Sequence, residues 1–239
     1  MKVIAIIPAR LGSTRLARKV VLPIGGVPML AHVYKGVRAA TALADVIVAT
    51  DSQEILDLSR QNGWHARLTS PSCRSGTERV YEVSQSVAAD VYINVQGDEP
   101  MARPEHINSL IALMKDPAVQ VGTLKTPCAA PDIKHPHAVK VVTDTAGRAL
   151  YFSRATIPYD RDGAGTRYYK HLGFYAYRKA ALDHFVALPE SSLEQSERLE
   201  QLRFLENGIP IHVAETRFDT IGVDTEDDLH RAEEFLTRR

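Results

Sequence analysis

Three short runs, Val3–Ile7, Asp45–Thr50 and Val91–Val95, constrain what this chain can fold into more than any other feature. Each is apolar almost without interruption, so each reads as a strand covered on both faces. Helical segments separate them. One lies near Pro28–Ala40 with Pro28 in its first turn. A second is capped by Asp51 or Ser52 and runs to about Gln61. A third starts at Thr77, with Val80, Val83 and Val87 along one side. A shorter strand is expected near His65–Thr69. This alternation predicts an α/β fold, a Rossmann-like, mainly parallel sheet with helices on both faces.

The rhythm loosens after about residue 117. Val119–Thr126, Ala138–Thr143 and Ala149–Phe152 read as strands with no helix between them, which predicts an antiparallel extension. His171–Tyr177 is a further strand, followed by helices near Ala180–Leu188 and Leu193–Asn207, the latter closed by Gly208. A strand near Ile211–Ala214 and a terminal helix beginning at Thr225–Asp228 complete the chain. Residues 1–239 are therefore expected to form one fold, with an inserted substrate-facing subdomain at approximately 119–190.

The 29 basic and 29 acidic side chains cancel, which argues against a general nucleic-acid or membrane-surface role. No stretch approaches the roughly 20 apolar residues needed to span a bilayer, and no secretory leader pattern opens the sequence. Cys73 and Cys128 form no metal or redox motif and are expected to be unpaired thiols in a reducing cytoplasm.

The first strand stops at Pro8, and the loop behind it holds Arg10, Gly12, Ser13, Thr14, Arg15, Arg18 and Lys19. Ligands of open α/β sheets gather at strand C-terminal ends. Arginine grips phosphate bidentately and lysine acts on it as a point charge, so the loop reads as a polyphosphate clamp. It matches neither a P-loop nor a dinucleotide fingerprint. The strand ending at Val95 leads into Gln96-Gly97-Asp98-Glu99-Pro100, where Asp98 or Glu99 could hold a hard cation such as Mg²⁺ against bound phosphates. Asp224 is a second candidate ligand, but its neighbours Glu226, Asp227 and Asp228 equally suit a helix start.

Ser75-Gly76-Thr77-Glu78-Arg79 reads most plainly as a turn with a Thr77 N-cap, and alternatively as a reader of a nucleobase edge. Glu197 and Gln201 are expected on one helix face at i, i+4, with Glu200 beside them. His135-Pro136-His137 lacks the further ligands of a zinc site.

Taken together, these segments resemble the 3-deoxy-manno-octulosonate (Kdo) cytidylyltransferases. The resemblance runs through Ile7–Arg10, Ser13–Leu16, Lys19, Ala49–Asp51, Ser75–Arg79 and Asn94–Pro100. It continues through Ala138–Val142, Tyr151–Pro158, His171–Gly173, Leu199–Arg203 and Gly222–Thr225. It implies a nucleotide-diphospho-sugar transferase-like fold whose inserted subdomain serves sugar-acid binding and dimerisation. It also implies condensation of CTP with Kdo to CMP-Kdo and pyrophosphate for lipopolysaccharide biosynthesis, with Mg²⁺, in a cytoplasmic homodimer.

By motif, Arg10, Ser13, Arg15 and Lys19 face the triphosphate, Ser75, Gly76, Thr77 and Arg79 belong to the CTP site, and Asp98 and Asp224 are the metal carboxylates. Arg10, Lys19, Asp98 and Asp224 form the catalytic set. Gln96, Arg154, His171, Tyr175, Glu200 and Gln201 form the sugar-acid pocket. Two departures stand out. Ala17-Arg18-Lys19-Val20 replaces the family's common Pro-Gly-Lys-Pro, and His135-Pro136-His137 replaces Asn-Pro-Asn. Rival readings are activation of 8-amino-Kdo or a sialic acid, and a non-catalytic nucleotide-binding regulator.

Overall fold

A computed structural model describes residues 1–12 and 16–237. The chain forms two compact units, one of Met1–Asn108 with the C-terminal segment from Thr220, the other of Ser109–Asp219. Strand β1 (Val3–Pro8) leads through a tight hairpin, β2 (Pro23–Ile24) and β3 (Val27–Pro28), into helix α1 (Met29–Arg38). Then come β4 (Asp45–Thr50), α2 (Gln53–Gln61), β5 (His65–Leu68), α3 (Gly76–Ser84), β6 (Val91–Val95) and α4 (Pro104–Leu113).

In the first unit β1 is central and pairs in parallel with β4 and β6, and β4 pairs in parallel with β5. All residues of β1 and β6 are buried, as their unbroken apolar runs require. Ser52 caps α2, accepting from Ile55 N. Ser75, and not Thr77, caps α3: its hydroxyl accepts from Glu78 N, while Thr77 is buried inside the first turn. The plain turn reading of this segment therefore holds with its cap moved by two residues.

The second unit contains β7 (Val121–Pro127), β8 (Lys140–Thr143), β9 (Ala149–Ser153) and β10 (Tyr169–Tyr177), then α5 (Lys179–Ala187), α6 (Ser192–Glu197), α7 (Leu202–Glu206) and β11 (Ile211–Glu215). β10 pairs antiparallel with β7, and β8 pairs antiparallel with both β9 and β10. β11 adds to β7 in parallel.

The single helix expected over Leu193–Asn207 is two helices. Arg198 takes a left-handed conformation, φ 54°, which closes α6 before α7 begins. Glu197 and Gln201 therefore do not share a helix face. A buried fork, Arg203 Nε and Nη2 on the Glu194 carboxylate at 2.7 and 2.6 Å, ties the two short helices together across the break.

Helix α8 (Glu226–Thr237) belongs to the first unit. Its Ala232, with Leu229 and Leu236, packs on Ile24, Met29 and Val223. Its start is held by a reciprocal pair, in which Asp228 N donates to the Thr225 hydroxyl and Thr225 N to Asp228 Oδ2.

Candidate active site

Three of the expected residues meet at the C-terminal end of the parallel strands in the first unit. β6 ends at Val95, and Gly97 N donates to Pro8 O at 3.1 Å, drawing the turn against the end of β1. A Cβ on Gly97 would lie 2.9 Å from that same oxygen, so no other residue fits without displacement. The next residue, Asp98, accepts from Val223 N through its backbone carbonyl at 2.9 Å. With Val223 itself sunk in the α8 cluster, this bond fixes Asp224 beside Asp98.

Lys19 closes the arrangement. Its Nζ donates to Asp98 Oδ2 at 2.5 Å, Asp224 Oδ1 at 2.8 Å and Val223 O at 3.1 Å. Burial pushes the ammonium's pKa down, but the two carboxylates outweigh burial and hold it above its ordinary value. Asp98 and Asp224 thus face the Lys19 ammonium together. Glu99 is buried, its Oε1 facing the site where a Cβ on Gly222 would lie.

Arg10 is exposed just beyond β1. Ser13 and Arg15 lie outside the described residues. Arg18, where glycine is common in the family the sequence resembles, adopts a left-handed φ of 57° and pairs with Glu54 at 2.5 Å.

Around α3, Gly76 lies against the Gln96 amide, which an added Cβ would approach to 2.6 Å. Gln96 Nε2 in turn donates to Asn94 Oδ1 at 3.0 Å. Arg79 is buried and committed, with Nη2 on Asp51 Oδ2 at 2.9 Å and Nη1 on the Thr69 hydroxyl. Its charge holds β4, β5 and α3 together. Cys73 donates to Glu82 Oε2, and burial together with that carboxylate pushes its thiol up to about 12. Both cysteines are free.

The second unit brings together the other expected residues. The His171 and Tyr175 rings on β10 lie 5.4 Å apart, and Tyr175 stacks on Tyr177 at 5.7 Å. Thr123 Oγ1 donates to Phe174 O at 2.7 Å, so it accepts from His171 Nε2 at 3.0 Å. That tautomer leaves Nδ1 as an acceptor. Burial depresses the His171 pKa to about 3, keeping the ring neutral. The Tyr175 hydroxyl is buried without a hydrogen-bond partner, and burial raises its pKa well above the ordinary value. Gln201, at the start of α7, is also buried, with Nε2 unpartnered. Glu200 lies close enough to Tyr175 to raise its pKa further.

Arg154 is used differently from a free anion-binding arginine. Its Nε donates to Glu197 O at 2.7 Å and Nη1 to Pro136 O at 3.1 Å, while its backbone N donates to the Glu197 carboxylate. Lys140, to which the sequence reading gave no role, is fully buried and donates to the carbonyls of His135, Ala138 and Arg154 at 2.9, 2.6 and 2.8 Å. A lysine in the apolar run Ala138–Val142 was the available signal, because an ammonium is almost never buried without dedicated acceptors. The His135 and His137 rings lie 5.4 Å apart, tilted by 44°, and no group of three metal-ligating side chains occurs among the described residues.

A family model described as cytidylyltransferase matches residues 4–215. A 3-deoxy-manno-octulosonate cytidylyltransferase of Koribacter versatilis is 67% identical over 240 residues, covering all of this chain and 92% of that protein. The chain belongs to this family. A relative of the same name from Acidobacterium capsulatum is 58% identical, with 100% of this chain and 98% of that protein covered. A solved structure of CMP:2-keto-3-deoxy-manno-octonic acid synthetase complexed with CTP superposes with a TM-score of 0.95 at 43% identity, covering 100% of this chain and 99% of that one. The 4-diphosphocytidyl-2C-methyl-D-erythritol synthase of Anaerococcus prevotii shares the fold, with a TM-score of 0.68 at 17% identity over 99% of both chains. Family membership makes the protein a nucleotidyltransferase and sets aside the non-catalytic regulator. No helix among the described residues is long and apolar enough to cross a membrane.

Proposed function

We infer that this chain activates Kdo with CTP, giving CMP-Kdo and pyrophosphate for lipopolysaccharide assembly, as a cytoplasmic, Mg²⁺-dependent homodimer. One observation carries the reading at the level of chemistry: Asp98 and Asp224 converge on a single cation, Lys19 Nζ, at a sheet end that also presents Arg10. Mg²⁺ typically takes one or two carboxylates and completes its shell with water and substrate phosphate oxygens. A pair of acids already sharing a positive charge fits that demand. When bound, the ion would neutralise phosphate charge and lower the pKa of a coordinated hydroxyl.

The protein's own groups do the rest by positioning and electrostatics. Arg10 and Lys19, with Ser13 and Arg15 by motif, hold the triphosphate and stabilise the departing pyrophosphate. Ser75, Gly76 and Thr77 present the first turn of α3 to cytosine, on a segment that Arg79 braces. For the sugar acid, Gln201 Nε2 and the Tyr175 hydroxyl are desolvated donors awaiting acceptors, and neutral His171 offers Nδ1 to a hydroxyl. Glu200 adds a polar contact, and Arg154 shapes the pocket wall. The anomeric 2-hydroxyl of Kdo attacks the α-phosphorus in line. The new O–P bond forms as the bond to pyrophosphate breaks, and the hydroxyl proton passes to water.

Pyrophosphate release measured with CTP and Mg²⁺ against Kdo, 8-amino-Kdo and N-acetylneuraminate tests the assignment. Kdo should give the highest kcat/KM. Preference for either of the other acids would overturn the substrate reading while leaving the family intact.

A further inference from the structure

Lys19 has three N–H donors, and Asp98, Asp224 and Val223 O take all of them. Its ammonium therefore sits where the acid pair would hold a metal, and it has no donor left for a phosphate. Those two facts are incompatible with the role just given to Lys19 unless the side chain moves. We propose that Lys19 is the counter-cation of the acid pair whenever no metal is bound and is exchanged for the divalent ion, so that metal entry releases the lysine to the triphosphate. The proposal rests on the reading of Asp98 and Asp224 as metal ligands and adds a coupling between metal and phosphate loop.

The charge count explains why exchange is needed. Two carboxylates at 2.5 and 2.8 Å from one ammonium leave one net negative charge, and a divalent ion arriving with Lys19 in place would meet a cation at contact distance. With Lys19 withdrawn the ion meets both negative charges. The surrounding backbone suits such a move. Lys19 opens a single 3₁₀ turn, Lys19–Val21, and follows Arg18 in its left-handed conformation. The carboxylates are differently held: Asp98 is gripped by its carbonyl through Val223 N, and Asp224 N bonds Asp228 Oδ2. The acids are fixed and the lysine is the movable member.

Mn²⁺ binding without nucleotide, followed by electron paramagnetic resonance, tests this without reference to turnover. Lys19→Met should bind Mn²⁺ about tenfold more tightly than the unmodified chain or more, a contact-range charge effect. Lys19→Arg, which keeps the charge, should stay near the unmodified affinity. Lys19→Met should also gain more thermal stability from Mn²⁺, which checks that the variant is folded. Equal or weaker binding by Lys19→Met, with binding still abolished by adding Asp98→Asn, would overturn the exchange and leave the metal reading standing. Undiminished binding in the Lys19→Met, Asp98→Asn double variant would overturn both.

Discussion

Lys140→Met tests whether a buried ammonium organises the second unit. Methionine nearly matches the lysine stem in volume, so no large cavity opens, and the change isolates the charge and its three hydrogen bonds. Bonds from a charged donor contribute about 1.5–3 kcal/mol each, but burying the ammonium costs several kcal/mol, so most of that sum is offset. What remains is set by the acceptors left behind. His135 is exposed and its carbonyl can turn to water, whereas Ala138 and Arg154 are half-buried. Two stranded carbonyls at about 1–3 kcal/mol each give a net loss of about 2–6 kcal/mol. For a chain of this size that lowers Tm by roughly 4–24 °C. Thermal unfolding followed by circular dichroism reads the shift. KM for the sugar acid should rise more than KM for CTP, because the freed carbonyls belong to the Arg154 wall. Lys140→Arg should not rescue, since a planar fork cannot reproduce three converging ammonium bonds. A Tm change below about 2 °C, against the shift expected from two stranded carbonyls, would refute the argument.

Asp98→Asn should fold normally and lose turnover on the order of 10²-fold or more, since a neutral amide is a poor ligand for a hard cation; near-normal kcat in saturating Mg²⁺ would exclude it as a ligand. Gln201→Ala should raise the sugar-acid KM, at a cost of about 0.5–1.5 kcal/mol, and leave CTP binding nearly unchanged. Lys19→Ala should slow the reaction with every accepted acid, and a steady-state comparison showing the reverse pattern would undo the division of the site. His171, depressed to about 3, stays neutral in the fold while the unfolded chain takes up a proton below about pH 6.5. The unfolded state then binds more protons, so stability falls as pH falls from 6.5 towards 3, by up to about 1.4 kcal/mol per pH unit. Urea titrations at several pH values should show a shallower fall in His171→Gln, and identical slopes would mean the imidazole is charged in the fold.

The parts of the fold that were legible are those whose burial leaves a local trace. Val3–Ile7, Asp45–Thr50 and Val91–Val95 are apolar almost without interruption because both of their faces are covered, and all three are strands of one parallel set. The hairpin at Pro23–Pro28 escaped notice because two-residue strands leave no periodicity. Helix α4 escaped notice although Ile107, Leu110, Ile111 and Met114, all buried, recur at the i, i+3, i+4, i+7 spacing of a helical stripe. The break at Arg198 was invisible for another reason. Its left-handed backbone carries no glycine to announce it, and it persists because Arg203 and Glu194 lock the helices on either side.

At the site, the residue types were legible and their assembly was not. A carboxylate after a buried strand is a local signal, which is why Asp98 and Glu99 stood out together. Choosing between them depends on a contact more than a hundred residues away along the chain. Val223 N bonds the Asp98 carbonyl, and Val223 is held there by α8 packing on Ile24 and Met29. The same bond lifts Asp224 out of the run of acids at the start of α8, whose charges are otherwise explained by the helix dipole. Asp98 and Asp224 are thus brought together by an apolar cluster and one backbone hydrogen bond that lie outside the pair itself. A change at Val223 or Ala232 should accordingly disturb the acid pair as surely as a change in the acids themselves.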